Sequence, residues 1–175
     1  MSDDLSGFSL MDLFRSEADG QTALLTEGLL ALEGEAEPSP VALESLMRAA
    51  HSLKGAARIV GLDAAVRVAH ALEDNFVAAQ RGEFSIQSAH VDVMLKAVDL
   101  LAQIAQLPEE GAASWQAENE ARIEGTVASL EGLRTRDDTG LITRPVAEGK
   151  GKVAGHAQQC PASHRQNRLL ATRPK

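Results

Sequence analysis

The chain has 175 residues, enough for one domain with a core of its own, yet it holds no tyrosine, four phenylalanines and one tryptophan. So few aromatic residues leave the core to Ala, Leu, Val and Ile, which suits packed helices better than a β-sandwich. The net charge of −8 is uneven: residues 135–175 carry eight Lys/Arg and three Asp/Glu (+5), and residues 1–134 carry nine basic and 22 acidic groups (−13). An acidic body of this kind argues against nucleic-acid binding and suits a domain that docks protein partners.

In chain order, the periodicity predicts a first helix from about Leu10 to Glu33, with Phe14, Ala18, Leu25, Leu29 and Leu32 near one face. "GEAEPSP" breaks it. Ser39 followed by Pro40 reads as an N-cap with proline in the first helical position, opening a second helix to about Val60, and Gly61 is its stop. Asp63 can cap a third helix to about Arg81, before Gly82, and Ser85 can cap a fourth carrying Val91, Met94, Val98, Leu101 and Ala105 on its seam. A fifth, about Ser114 to Leu133, places Ile123, Val127 and Leu130 on one side. Short connections make consecutive helices antiparallel. The expected fold is all-α: an antiparallel up-down four-helix bundle with a fifth, C-terminal helix packed on it. Residues 1–134 form the helical domain. Residues 135–175, rich in Gly, Pro and basic residues and without a sustained period, read as a flexible linker or disordered tail.

No apolar run approaches the roughly 20 residues of a membrane span, and "MSDDLSGFSLMDLF" has no basic region typical of a signal peptide. The one cysteine, Cys160, cannot form an internal disulfide. The expected setting is cytoplasmic, without membrane insertion.

The stretch "RAAHSLKGAARIVGL", residues 48–62, places a histidine, a lysine and a glycine side by side in the second helix. At about 100° per residue, Ala42, Leu46, Ala49, Leu53, Ala57 and Val60 form the core stripe, and Glu44, Met47, Arg48, His51, Lys54, Gly55 and Arg58 lie opposite. His51 therefore points away from the core. Gly55, one turn later, leaves its imidazole open to a partner at a cost of about 1 kcal/mol of helix propensity. On the third helix the core stripe is Ala65, Val68, Ala69, Leu72 and Phe76, with Arg67, His70, Glu73, Asp74 and Val77 on the other side. In an antiparallel hairpin His70 and Glu73 would face His51 and Lys54. A carboxylate that takes the proton of one ring nitrogen makes the other the nucleophile, and a lysine one turn away can neutralise arriving phosphate oxygens.

"AAHSLKGAARIVGL" resembles the signature of histidine phosphotransfer (HPt) domains, His-x-x-Lys-Gly followed by a small residue and a later glycine. "AHALEDNFVAAQRGE" narrows the likeness to the N-terminal phosphotransfer domain of CheA-type chemotaxis kinases, and within these to surface-sensing hybrid kinases of the Wsp type. The resemblance covers about residues 8–133. It implies His51 as phosphoryl acceptor, with Lys54, His70 and Glu73 as its network. Met47, Arg48, Gly55, Arg58 and Val77 belong to the expected partner-binding face. It further implies a histidine-kinase ATP-binding domain as donor and a response-regulator receiver domain as acceptor. The domain itself binds no cofactor on this reading; ATP and Mg²⁺ act in the kinase domain, since no Gly-rich phosphate loop or Mg²⁺ carboxylate set is present.

Two other classes compete. A plain helical adaptor would carry His51 as a solvated surface residue and take no label from a kinase and labelled ATP. A metal site would need His51, His70 and Glu73 as a two-His, one-carboxylate set, which Lys54 beside it would oppose, and the inward glutamates and paired Glu-x-x-His motifs of a di-iron bundle are missing. His90, His156 and His164 show no arrangement that supports a functional role, and Arg58, Arg67 and Arg81 read more simply as solvated charges than as phosphate ligands.

Overall fold

The structure, a computed structural model, describes residues 9–33 and 38–137. These form six helices: α1 (Leu10–Glu33), α2 (Pro40–Ile59), α3 (Asp63–Gln80), α4 (Ser88–Ala105), α5 (Glu109–Glu118) and α6 (Glu120–Asp137). Among the described residues there is no strand, and no helix is long and apolar enough to cross a membrane. The expected tail falls largely on residues 138–175, which lie outside the described residues; α6 itself runs a few residues past the expected boundary at 134.

The helix ends follow local chemistry. Ser9 and Asp12 cap α1 reciprocally, Asp12 N donating to Ser9 Oγ at 3.1 Å and Ser9 N to Asp12 Oδ2 at 3.2 Å. Ser39 Oγ accepts from Ala42 N at 3.1 Å, with Pro40 in the first turn of α2. Helices α2 and α3 end on Gly61 and Gly82, whose φ of 72° and 69° only glycine adopts without strain. Each lets the next amide turn back to its helix, Leu62 N to Ala57 O and Glu83 N to Ala78 O, both at 3.0 Å.

Two expected caps differ. Asp63 sits inside the first turn of α3, with Leu62 at the cap position. The N–H of Ala64 in that turn is satisfied from a distance by Gln116 Oε1 of α5, at 2.8 Å. Helix α4 starts at Ser88 rather than after Ser85 because buried Phe84 and Ile86 pin the preceding segment to the core. Gln87 N then donates to His90 Nδ1 at 3.2 Å, so His90 has a capping role. The expected single fifth helix is two. Asn119 breaks it: its amide and its Nδ2 both donate to Trp115 O at 2.9 Å, and its carbonyl accepts from Arg122 N and Ile123 N to start α6. A residue that prefers caps to helix interiors has ended one helix and begun the next.

Helices α1 to α4 form the antiparallel bundle. Ser52 Oγ donates to Glu17 Oε1 at 2.6 Å between α2 and α1, and Gln106 Nε2 to Asp19 Oδ1 at 2.9 Å and Ser88 Oγ to Glu33 Oε1 at 3.0 Å between α4 and α1. The core holds Leu25, Leu29, Leu46, Leu53, Leu72, Phe76, Met94, Leu101 and Ile104, all essentially sealed from solvent. Buried alanines, among them Ala49, Ala57, Ala65 and Ala69, let the helices approach closely. On α2 the buried set is Leu43, Leu46, Ala49, Ala50, Leu53 and Ala57, with Ala42 and Val60 only half-buried, so the core stripe is rotated slightly from expectation.

Helix α6 packs on α3 and α4, parallel to α3. Along that seam Arg67 Nη1 meets Glu120 Oε1 at 2.5 Å, and the fully buried Asn75 donates from Nδ2 to Leu130 O at 3.0 Å and to Ala71 O at 2.8 Å. Ile123, Leu130 and Leu133 supply its buried face.

Candidate functional site

The tight turn at Gly61 folds α3 back along α2, which brings Glu73 opposite His51. His51 Nδ1 lies 2.8 Å from Glu73 Oε1, and Lys54 Nζ lies 2.5 Å from Glu73 Oε2. One carboxylate therefore holds both His51 and Lys54 of α2. The imidazole is 66% exposed, while Glu73 is 13% and Lys54 18% exposed. In the neutral ring the contact assigns the proton to Nδ1, since a carboxylate can only accept, and leaves Nε2 with the free lone pair.

Burial alone would raise the Glu73 carboxyl. The hydrogen bonds from Lys54 and His51, together with their charges, outweigh it and hold the group below its ordinary value. Glu73 is consequently an anion at neutral pH, and its charge is offset by the Lys54 ammonium.

Three of the four expected network residues thus meet. His70 does not join them: its Nε2 lies 3.6 Å from Asp74 Oδ1, and among the described residues no hydrogen bond or ion pair ties it to His51, Lys54 or Glu73. Its helical neighbours explain this. From His70, Glu73 is three residues on and Asp74 four, and both oxygens of Glu73 are already engaged.

The expected partner face is present on α2. Gly55 and Arg58 are exposed, Arg48 is exposed and paired with Glu44, and Met47 and, on α3, Val77 are half-buried. A Cβ built at Gly55 would meet no atom within 4 Å, so nothing in the fold itself requires glycine there. Met47 borders a groove of about 430 Å³ between α2 and α3, lined also by Leu43, Glu44 and Ala79. Ile59 is 71% exposed on the outward side of α2, an apolar residue that the wheel reading passed over. Two further neighbours of the site were missed: Ser52, which ties α2 to Glu17 beside His51, and Arg134, whose Nη1 is 3.7 Å from Asp74 Oδ2. Only the acidic pair Glu73–Asp74 hinted at the second. Among the described residues no group of three or more His, Cys, Asp or Glu is arranged to hold a metal ion.

The model of the Hpt domain matches residues 9–135. The chain belongs to the Hpt domain family. The proteins it resembles include chemotaxis proteins and a gliding motility regulatory protein. The chemotaxis protein CheA of Rhizobium meliloti is 30% identical over 155 residues, covering 87% of this chain and 19% of that protein. The sensor histidine kinase CheAY of Helicobacter pylori is 27% identical over 135 residues, 77% of this chain and 16% of that protein. The chain thus spans less than a fifth of the length of these relatives. Among solved structures, the phosphorylated P1 domain of CheA3 in complex with CheY6 from R. sphaeroides superposes with a TM-score of 0.59 and 25% identity, over 73% of this chain and 96% of that one. The all-α bundle of this Hpt domain is accordingly the fold of the CheA P1 domain.

Proposed function

We propose that this Hpt domain accepts a phosphoryl group on His51 Nε2 from a histidine-kinase ATP-binding domain and passes it to an aspartate of a response-regulator receiver domain. The observation that carries this reading is the exposed imidazole whose Nδ1 is engaged by Glu73 at 2.8 Å. Attack by Nε2 on a phosphorus atom forms the N–P bond as the bond to the leaving group breaks. Positive charge then builds on the ring, and Nδ1 keeps its proton against the Glu73 carboxylate, which stabilises that charge. Transfer onward reverses the bookkeeping: the receiver carboxylate displaces the imidazole, which returns to its neutral form.

Lys54 offsets the Glu73 charge and keeps further N–H donors for phosphoryl oxygens. ATP and Mg²⁺ belong to the partner kinase domain on this reading, and the parent protein is a cytoplasmic histidine kinase of the CheA type. The solved relative in complex with CheY6 supports a receiver as the acceptor. The narrower likeness to Wsp-type kinases rests on the sequence resemblance.

His51→Gln tests the proposal. It keeps size and polarity and removes the nucleophilic nitrogen. With a CheA-type kinase and labelled ATP, acid-labile label should disappear while the helical circular dichroism spectrum is retained. Undiminished label on the variant would overturn the assignment.

A further inference from the structure

Residues 1–134 hold nine Lys/Arg against 22 Asp/Glu, so each cation there has carboxylates to choose from. Among the described residues six of the nine pair with a carboxylate oxygen at 3.8 Å or less, and the other three are Arg58, Lys96 and Arg122. Arg58 stands on the outward face of α2. Lys96 and Arg122 share a cleft of about 240 Å³ between α4 and α6, lined also by Val93, Gly125, Thr126 and Ser129. No carboxylate lines it. Asp92 and Asp99 lie within about one turn of Lys96, yet neither pairs with it, and both fall roughly 100–120° around α4 from Val93, on the flank away from the cleft.

The lining offers donors and space. Lys96 makes no hydrogen bond or ion pair among the described residues, which leaves its ammonium donors to a ligand. Arg122 Nη1 donates to Gln103 Oε1 at 2.8 Å, which orients the guanidinium and leaves its other N–H groups unspent. Thr126 and Ser129 donate to Arg122 O at 2.9 Å and Gly125 O at 2.7 Å, and a hydroxyl proton can rotate to a stronger acceptor. A Cβ at Gly125 would meet no atom within 4 Å, so the floor of the cleft is open.

The spacing selects the ligand. Helices α4 and α6 run antiparallel, and Arg122 reaches Gln103, about 10 Å along α4 from Lys96. The two cations therefore stand at opposite ends of the cleft. A small single anion meets one of them; two carboxylates about 10 Å apart on one chain meet both.

We propose that the α4–α6 cleft docks an acidic segment of a partner protein, with one carboxylate on Arg122 and another on Lys96. Helix α2 packs on α1 and α3, and α4 packs on α1, α3 and α6, so the cleft lies away from the outward face of α2. A partner held there leaves His51 open and keeps its own remaining parts near the imidazole at a raised effective concentration. The site stands whether or not His51 carries a phosphoryl group.

The test uses the full chain, isotope-labelled for amide NMR, with hexaglutamate at low salt; hexaglutamine and inorganic phosphate are the controls. Residues 135–175 are basic and also attract hexaglutamate, so binding is read from the amides of Lys96, Gly125, Thr126 and Ser129 alone. Hexaglutamate should shift these amides and leave that of His51 in place, and added salt should weaken the effect. Lys96→Gln and Arg122→Gln should each weaken binding roughly two- to fivefold, the range of an exposed ion pair, and together by about the product. Gly125→Gln fills the floor without changing the charge. It should weaken binding more than either charge variant while the thermal midpoint holds or rises, because glutamine is the better helix former.

The inference falls if the cleft amides do not move, if hexaglutamine moves them as far, or if the His51 amide moves with them. It falls equally if inorganic phosphate binds as tightly as hexaglutamate, or if the double charge variant binds like the wild type.

Discussion

Glutamine at position 55 separates access from stability. Gly55 lies in the exposed interior of α2, one turn after His51 and about 40° from it around the helix. A Cβ there meets nothing within 4 Å, so the substitution introduces no clash within the domain. Glutamine is the better helix former by about 0.6 kcal/mol. For roughly 125 described residues, at about 2.1 cal/mol/K each, the unfolding entropy is ~0.26 kcal/mol/K, and the thermal midpoint should rise by about 2 °C. On the proposed function, the side chain nevertheless occupies the space through which a receiver would bring its aspartate to Nε2. Transfer from phosphorylated domain to receiver should fall by at least about tenfold, because a small displacement of reacting groups is costly. Phosphorylation by phosphoramidate, too small to need that space, should continue near the wild-type rate. The assay is both rates beside the thermal midpoint. Receiver transfer at the wild-type rate would show that Gly55 is not there for access; loss of both rates with a lowered midpoint would show that the substitution damages the helix.

Glu73→Ala should slow phosphorylation of His51 by roughly 10- to 100-fold without abolishing it, because the carboxylate orients and stabilises but does not react; a variant as fast as wild type would reduce the His51–Glu73 contact to surface decoration. The carboxyl is held below its ordinary value of 4.5, so its stabilising contribution is complete above that value and is lost as pH falls through the depressed one. In urea titrations the stability advantage of wild type over Glu73→Gln should therefore persist at neutral pH and shrink below about pH 4, and an advantage that grew on acidification would contradict the sign. Asn75→Ala removes the buried donor that holds Leu130 O, and should cost about 1–3 kcal/mol, lowering the midpoint by roughly 4–12 °C; an unchanged midpoint would mean that α6 does not depend on this bond.

What the sequence revealed and what it hid follow from the range of each interaction. The placement of His51, Lys54 and Gly55 opposite Leu46 and Leu53 is a property of one helix with a fixed period, and it could be worked out residue by residue. The meeting of Glu73 with His51 required one more step, the antiparallel return, which the short link at Gly61 dictates. The partner of His70 could not be obtained this way. Three-residue and four-residue separations on a helix are both neighbours, so the choice between Glu73 and Asp74 depends on what already occupies each carboxylate. The break at Asn119 was hidden for a related reason. Apolar periodicity continues across it through Ile123 and Leu130, and only the capping preference of asparagine, together with the docking of Gln116 on the first turn of α3, ends one helix and starts another.

An imidazole that is two-thirds exposed has no packing to orient it, so its direction depends on the few atoms it touches. The bundle fixes the backbone beneath His51 through Leu46, Ala49, Ala50 and Leu53, all buried on the opposite side of α2. Glu73, arriving from α3, then fixes the ring. A carboxylate alone would do this at a disadvantage, because its charge would repel the phosphoryl group that Nε2 meets in the proposed function. Lys54, on the same helix as His51 and bound to the buried oxygen of Glu73, cancels that charge while leaving Oε1 to the histidine. With Glu73 ionised and Lys54 charged, the pair is neutral as a whole and still directional at Nδ1. The short spacing His51-x-x-Lys54 follows from this: the cation must lie within one turn to share the carboxylate, and on the adjacent side so that the face of Nε2 stays open.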